Sequence, residues 1–174
     1  MSFIIPENVE TERLVLRMFK ESDWKDMHEY YGDAECTKYT SGRALKEHES
    51  WQKVASLLGH WQMRNYGPYA IEEKATGKVI GITGLDYPVD WPEPEIQWGL
   101  RRSYWGKGFA VEAVRAVKAM TANYIPDLPL ISLIHPENAN SSNLAKAVGA
   151  YFEKEYFFRE AIWHIYRHNH SLKK

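Results

Sequence analysis

Apolar and polar residues change rhythm several times along this chain, and each rhythm predicts an element. Over 12–19 they alternate. Leu14, Leu16 and Met18 fall on one side and Arg13, Val15 and Arg17 on the other, as a half-buried strand requires. ESDWKDMHEYYG offers Ser22 or Asp23 as an N-cap and Gly32 as a stop, a short helix. Trp51, Val54, Ala55, Leu58 and Trp61 then recur at helical spacing, which predicts a second helix ending near Gly67 and Pro68. Two strands around the tight turn ATGK follow, within YAIEEKATGKVIGITGLDY. A third strand covers 95–100, with Ile96, Trp98 and Leu100 on one face and Glu95, Gln97 and Gly99 on the other.

The second half continues in the same way. Ala110, Ala113, Val114, Val117, Met120 and Tyr124 form one helical stripe. LISLIH reads as a buried strand, and NANSSNLAKAVGA as a short helix capped by Asn140 or Ser141 and stopped at Gly149. YFEKEYFF and EAIWHIYRH close the chain as a hairpin. The order is strand, two helices, three strands, helix, strand, helix, two strands. That is an α/β fold with a mixed sheet flanked by helices, and 1–174 reads as a single domain without repeat or linker.

Composition narrows the classes. With 22 basic and 23 acidic side chains the net charge is −1, which gives no footprint of general nucleic-acid binding. Cys36 is the only cysteine, so an internal disulfide and a cysteine-based zinc site are excluded; no metal is expected. The opening MSFIIPENVE lacks the basic and long apolar parts of a secretory leader, and no run of roughly 18 apolar residues suggests a membrane span. A cytoplasmic protein is the expectation.

The candidate chemistry begins at RRSYWGKGFA, 101–110. Two glycines and Lys107 stand directly before a helix, with Arg101 and Arg102 upstream. Helix N-termini present unpaired N–H groups and partial positive charge, and glycines let an anion come close. A P-loop would need Ser or Thr after Lys107, where Gly108 stands, and a dinucleotide fingerprint would need a glycine where Val111 stands. The alternative is a turn that only joins a strand to a helix.

From Glu95 the chain reads EIQWGLRRSYWGKGFAVEA, which closely resembles motif A of the GNAT superfamily of N-acetyltransferases. YWGKG with A-x-E-A, and the later HPENANSSNLAKAVGAYF, are most similar to the branch that acetylates the N-termini of ribosomal proteins. The resemblance spans almost the whole chain and implies a mixed, mostly antiparallel sheet. It also implies acetyl-CoA as co-substrate and an amine acceptor, either a protein N-terminus or a small molecule. The pyrophosphate would sit on the amides of Trp105, Gly106, Lys107, Gly108, Phe109 and Ala110, and the pantetheine arm would pair with Leu100, Arg101 and Arg102. The superfamily often has Gln or Arg where Ser103 stands, so that side-chain contact is missing here.

Acetyl transfer needs a base for the amine, a donor for the carbonyl and a donor for the leaving thiolate. Glu95 is the first candidate base, against the alternative of a solvated strand-end carboxylate; Glu137, His135, His60 and His164 are weaker. The tyrosine acid of many superfamily members would fall at Ala145 and is absent. The resemblance offers Ser141 for the thiolate, Asn138 for the pantetheine arm and, more weakly, Asn143 for the cofactor, whereas a helix cap would by itself explain Ser141. Trp98 and Trp105 read chiefly as core, and Trp51, Trp61 and Tyr66 as core or as acceptor-cleft walls. A non-catalytic acyl-CoA sensor and an aromatic interaction module stay open. A homodimer is compatible with the sequence, which holds no residue that demonstrates one.

Overall fold

The computed structural model describes residues 2–169. One sheet of eight strands runs through it in the order β1-β2-β3-β4-β5-β6-β8-β7. Its strands are β1 Asn8–Glu10, β2 Leu14–Arg17, β3 Pro68–Glu73, β4 Val79–Asp86, β5 Glu95–Leu100, β6 Ile131–Ile134, β7 Tyr151–Phe158 and β8 Ala161–Arg167. Every pairing is antiparallel except β5 with β6, the one step that needs a helical crossover. That crossover is α4, Phe109–Tyr124. Three helices precede β3: α1 Trp24–Tyr31, α2 Ala34–Thr37 and α3 Glu47–Arg64. The last, α5, is Ala139–Ala147.

The period-two reading holds for β2 and β5, whereas a bulge in the β3–β4 pairing puts Ile80 and Ile82 on opposite faces of β4. Leu14, Leu16, Ile71, Ile80, Leu85, Ile96 and Leu100 share a core with Ala113, Val114 and Val117 of α4. The opposite face packs Ala70, Val79 and Ile82 against Met27, Tyr30 and Tyr31 of α1 and Val54 and Leu57 of α3. Trp61 is fully buried and donates its indole N–H to the Pro68 carbonyl at 2.7 Å. Tyr124, by contrast, leaves the α4 stripe and is exposed.

Three local features depart from expectation. β1 and α2 are too short and too polar to carry a periodic signal. The cap of α5 is Asn138, not Asn140 or Ser141: its side-chain oxygen accepts the Ser141 N–H at 3.2 Å, so Ser141 lies in the first turn as the capped residue. Among the described residues no helix is long and apolar enough to cross a membrane.

Candidate active site

The sheet comes apart where β5 meets β6. The two strands share a single register position, Glu95 opposite Ile131, with the Ile131 N–H donated to the Pro94 carbonyl at 3.1 Å. Beyond it, side chains take over the ladder. The Ser132 hydroxyl donates to the Ile96 carbonyl at 2.5 Å, and the Leu133 N–H goes to the Glu95 carboxylate at 3.1 Å. From there the strands separate, and a cleft of roughly 1000 Å³ opens between them. Ile96 bonds toward β6 and Gln97 toward β4, so by alternation the main-chain groups of Trp98 and Leu100 face the cleft. The Leu100 carbonyl already accepts the Trp105 indole at 2.9 Å.

At one end of the cleft lies the glycine turn. Gly106 and Gly108 have φ of 72° and 80°, in the left-handed region that a side chain disfavours. Gly108 is the N-cap residue of α4, so the turn delivers the first amides of a sixteen-residue helix to the cleft. The turn is held from below by Arg13, which donates to the Lys107 carbonyl at 3.0 Å and pairs with Glu112 at 2.7 Å. Glu112 also accepts from the Thr11 hydroxyl and the Arg13 N–H. Burial pushes this carboxyl up, but these donors outweigh it and hold it below its ordinary value. Arg13 carried no signal in the sequence, because its partner lies 99 residues away.

At the far end stands Glu95, 7% exposed. One carboxylate oxygen accepts the Trp91 indole N–H at 2.9 Å and the other the Leu133 N–H. Burial, and then the charge of Asp86, push its pKa up to about 8 against those two donors. Asp86 is its direct cross-strand partner and is also raised by burial, against the opposing influence of His60, then Lys53 and Arg159. On the β6 side Ser141 Oγ accepts twice, from the Trp98 indole at 3.2 Å and from the Asn138 amide at 3.1 Å. Both hydrogen bonds bring a proton to the oxygen, so the hydroxyl's own hydrogen has no partner among the described residues.

Most of the expected residues thus meet in one cleft: Glu95, Leu100, Trp105, Gly106, Gly108, Phe109, Ala110, Asn138 and Ser141 line it. Four do not. Arg102 is ion-paired with Asp33 at 2.9 Å. Arg101 turns toward Asp26 and the ring of Tyr104. Lys107 sits over the same ring, 5.5 Å from its centre, and Asn143 of α5 is exposed. Trp61 and Tyr66 belong to the core, and Trp51 bonds Glu21 elsewhere on the surface, so none of these three walls the cleft. His135 does line it, stacked on Tyr39, while Glu137, His60 and His164 do not. The residues that sequence reasoning missed are Asp86, Trp91, Tyr39 and Gln97.

The model of the acetyltransferase (GNAT) domain matches residues 13–151, most of the chain, and the protein belongs to this family of N-acetyltransferases. The uncharacterised N-acetyltransferase p20 of Bacillus licheniformis is 28% identical over 157 residues, covering 88% of this chain and 86% of that protein. The acetyltransferase of Agrobacterium tumefaciens strain C58 superposes with a TM-score of 0.82 at 25% identity, over 98% of both chains. RimL, a ribosomal L7/L12 α-N-protein acetyltransferase solved with coenzyme A, has a TM-score of 0.74 at 18% identity, over 92% of this chain and 95% of that one. The family uses acetyl-CoA as co-substrate and an amine as acceptor.

Proposed function

We propose that this enzyme transfers acetyl from acetyl-CoA directly to a primary amine, and that the amine is the α-amino group of a protein N-terminus. The observation that carries the reading is the cleft with its two chemically different ends, amides at the glycine turn and a buried carboxyl at Glu95. The amides from Trp105 to Ala110 bind the pyrophosphate, with Arg13 and Glu112 fixing the turn. The main-chain groups of Trp98 and the N–H of Leu100 face the gap and suit the amide groups of a pantetheine arm. Arg101 faces away from the gap, since its N–H goes to the Ile80 carbonyl at 2.8 Å, and the side chains of Arg101 and Arg102 are engaged elsewhere, so neither supplies charge to the arm.

The proton chemistry follows from the two ends of the reacting bond. An α-ammonium group has a pKa of about 8, close to that of Glu95, whereas a lysine-type amine near 10 would hold its proton too firmly. Glu95 takes one proton from the ammonium. The freed amine nitrogen bonds to the thioester carbon and the carbon–sulfur bond breaks. The nitrogen then loses its second proton and the departing sulfur gains one, with the free hydroxyl hydrogen of Ser141 supporting the thiolate. One proton returns to solvent through Glu95. Asn138 orients Ser141 through both atoms of its amide.

CoA release from acetyl-CoA, measured with short peptides of varied N-termini and separately with small amines, tests this. Release with free N-termini but not with N-acetylated peptides is expected. Release only with small amines would move the acceptor, and acetyl-CoA binding without release for any amine would overturn the enzymatic reading.

A further inference from the structure

The last residue of β4 and the first of β5 are both acids. Asp86 stands directly opposite Glu95 in the antiparallel register, so the two side chains leave the same face of the sheet with Cβ atoms about 5 Å apart. Both line the acceptor end of the cleft. Like charges in this position are unfavourable, and each carboxyl raises the cost of ionising the other. A fold that keeps them together needs a proton or a cation between them.

Among the described residues no lysine or arginine forms an ion pair with either carboxyl; Lys53 and Arg159 act on Asp86 only from a longer range. His60 of α3 comes within 3.5 Å of Asp86, but its Nε2 accepts the Tyr87 N–H at 2.8 Å and its Nδ1 lies 2.9 Å from the Tyr66 carbonyl. With the Tyr87 N–H donated to it, Nε2 presents a lone pair rather than a proton on the side nearest Asp86. Lys53 of α3 lines the same space without an ion pair to either carboxyl among the described residues. Arg159, at the β7–β8 turn, is paired to Asp90 at 2.8 Å. Tyr31 of α1 adds no positive charge. Among the described residues no hydrogen bond reaches the Asp86 carboxylate, although Glu95 receives two. Gln97, on the same face of β5, has a buried amide nitrogen without a partner. Tyr31, Tyr39 and Trp163 also stand around this floor, and the Trp91 and Phe158 rings there already hold the Arg159 guanidinium, 4.6 and 5.0 Å from their centres.

Taken with the proposed acetyl transfer, on which it rests, this arrangement fits one guest. We propose that Asp86 and Glu95 together form a cation seat for the acceptor, which binds as an ammonium ion, and that Asp86 is the residue that selects the charged amine. Glu95 accepts the proton. Asp86 keeps its negative charge in place while it does so.

The test uses a matched pair of probes: alaninamide, with an α-ammonium group, and lactamide, in which a hydroxyl replaces it. Each is titrated calorimetrically at pH 7 into the full chain saturated with CoA. We expect the wild type to prefer alaninamide by tenfold or more. In Asp86→Asn that preference should fall below twofold, by loss of alaninamide affinity while lactamide changes by less than twofold, and Asp86→Glu should restore part of it. Equal affinities in the wild type, binding of neither probe, or a preference that survives Asp86→Asn would each overturn the cation seat. The wild-type comparison stands even if Asp86→Asn misfolds. Turnover of alaninamide is read separately: no CoA release with the preference intact would defeat the acetyl-transfer reading and leave the seat.

Discussion

Replacing Glu95 by glutamine should uncouple the stability of this protein from pH over the range in which the enzyme works. In the fold Glu95 is buried and its pKa is about 8, against an ordinary value of 4.5. The folded state therefore holds this proton more tightly than the unfolded chain does. The resulting stabilisation is complete below about pH 4.5 and is lost as pH rises through about 8. At about 1.4 kcal/mol per unit, the full swing approaches roughly 5 kcal/mol, and roughly 3 kcal/mol of it falls between pH 5.5 and 8.5 once local relaxation is allowed for. Glutamine cannot ionise, so the slope it leaves is only that of Asp86, which has the same sign. The substitution also has a fixed cost. Trp91 and Leu133 both donate to Glu95, and a glutamine offers only one acceptor oxygen, so one donor loses its partner at about 1–3 kcal/mol. Glu95→Gln should then be the less stable protein below about pH 5, cross the wild type between about pH 5 and 7, and be the more stable of the two at about pH 8.5. Urea unfolding of both proteins without CoA, at several pH values, measures this directly. Two parallel curves would refute the reasoning, because the raised proton affinity would then not belong to Glu95.

Other expectations concern the remaining parts of the site. Wild-type kcat/KM should rise with pH and level off above about pH 8, as Glu95 loses its proton in the free enzyme, and Glu95→Gln should remove that limb from the pH–rate profile. Ser141→Ala should lower kcat by about 10–100-fold with KM nearly unchanged, while circular dichroism shows α5 intact because Asn138 still caps it. Gly108→Asp should weaken acetyl-CoA by more than about tenfold in calorimetry, since it forces a side chain into left-handed backbone and sets an anion where the pyrophosphate would lie. Arg102→Ala should change acetyl-CoA affinity by less than about twofold, because its guanidinium serves Asp33. Glu112→Ala should cost about 2 kcal/mol of stability in urea unfolding by orphaning Arg13 and Thr11.

Much of this molecule is written in local pattern. The alternation at Leu14 and Leu16, the stripe from Ala113 to Met120 and the turn at Gly106 and Gly108 all depend on neighbours a few residues away, and all are visible without coordinates. Glu95 could be named from its place at the start of β5. What escaped is whatever two distant segments make together. Asp86 ends a hydrophobic strand and looks like a turn acid until the β4–β5 register sets it against Glu95. Trp91 lies in a proline-rich loop with no period, and only the fold brings its indole to the carboxylate. Arg101, Arg102 and Lys107 illustrate the opposite error. A run of positive charge beside an anion-binding turn invites a simple sum, yet Asp33 and Asp26, remote in sequence, and the neighbouring ring of Tyr104 draw those side chains away.

The parting of β5 from β6 also bears on how this protein avoids aggregation. An open sheet ordinarily has two outer edges, and unpaired edges invite other chains to add strands. This sheet has two more inside it, because Trp98 and Leu100 leave main-chain groups without a partner strand. Lined by helix ends and aromatic side chains, that inner edge is recessed, and a second protein strand has no flat approach to it. A slender ligand that spans the gap would close the sheet. Its binding energy would then add to the folding energy in proportion to the logarithm of its concentration over Kd, about 2.7 kcal/mol at a hundredfold excess. The vulnerable edge and the working edge of the molecule are the same stretch of backbone.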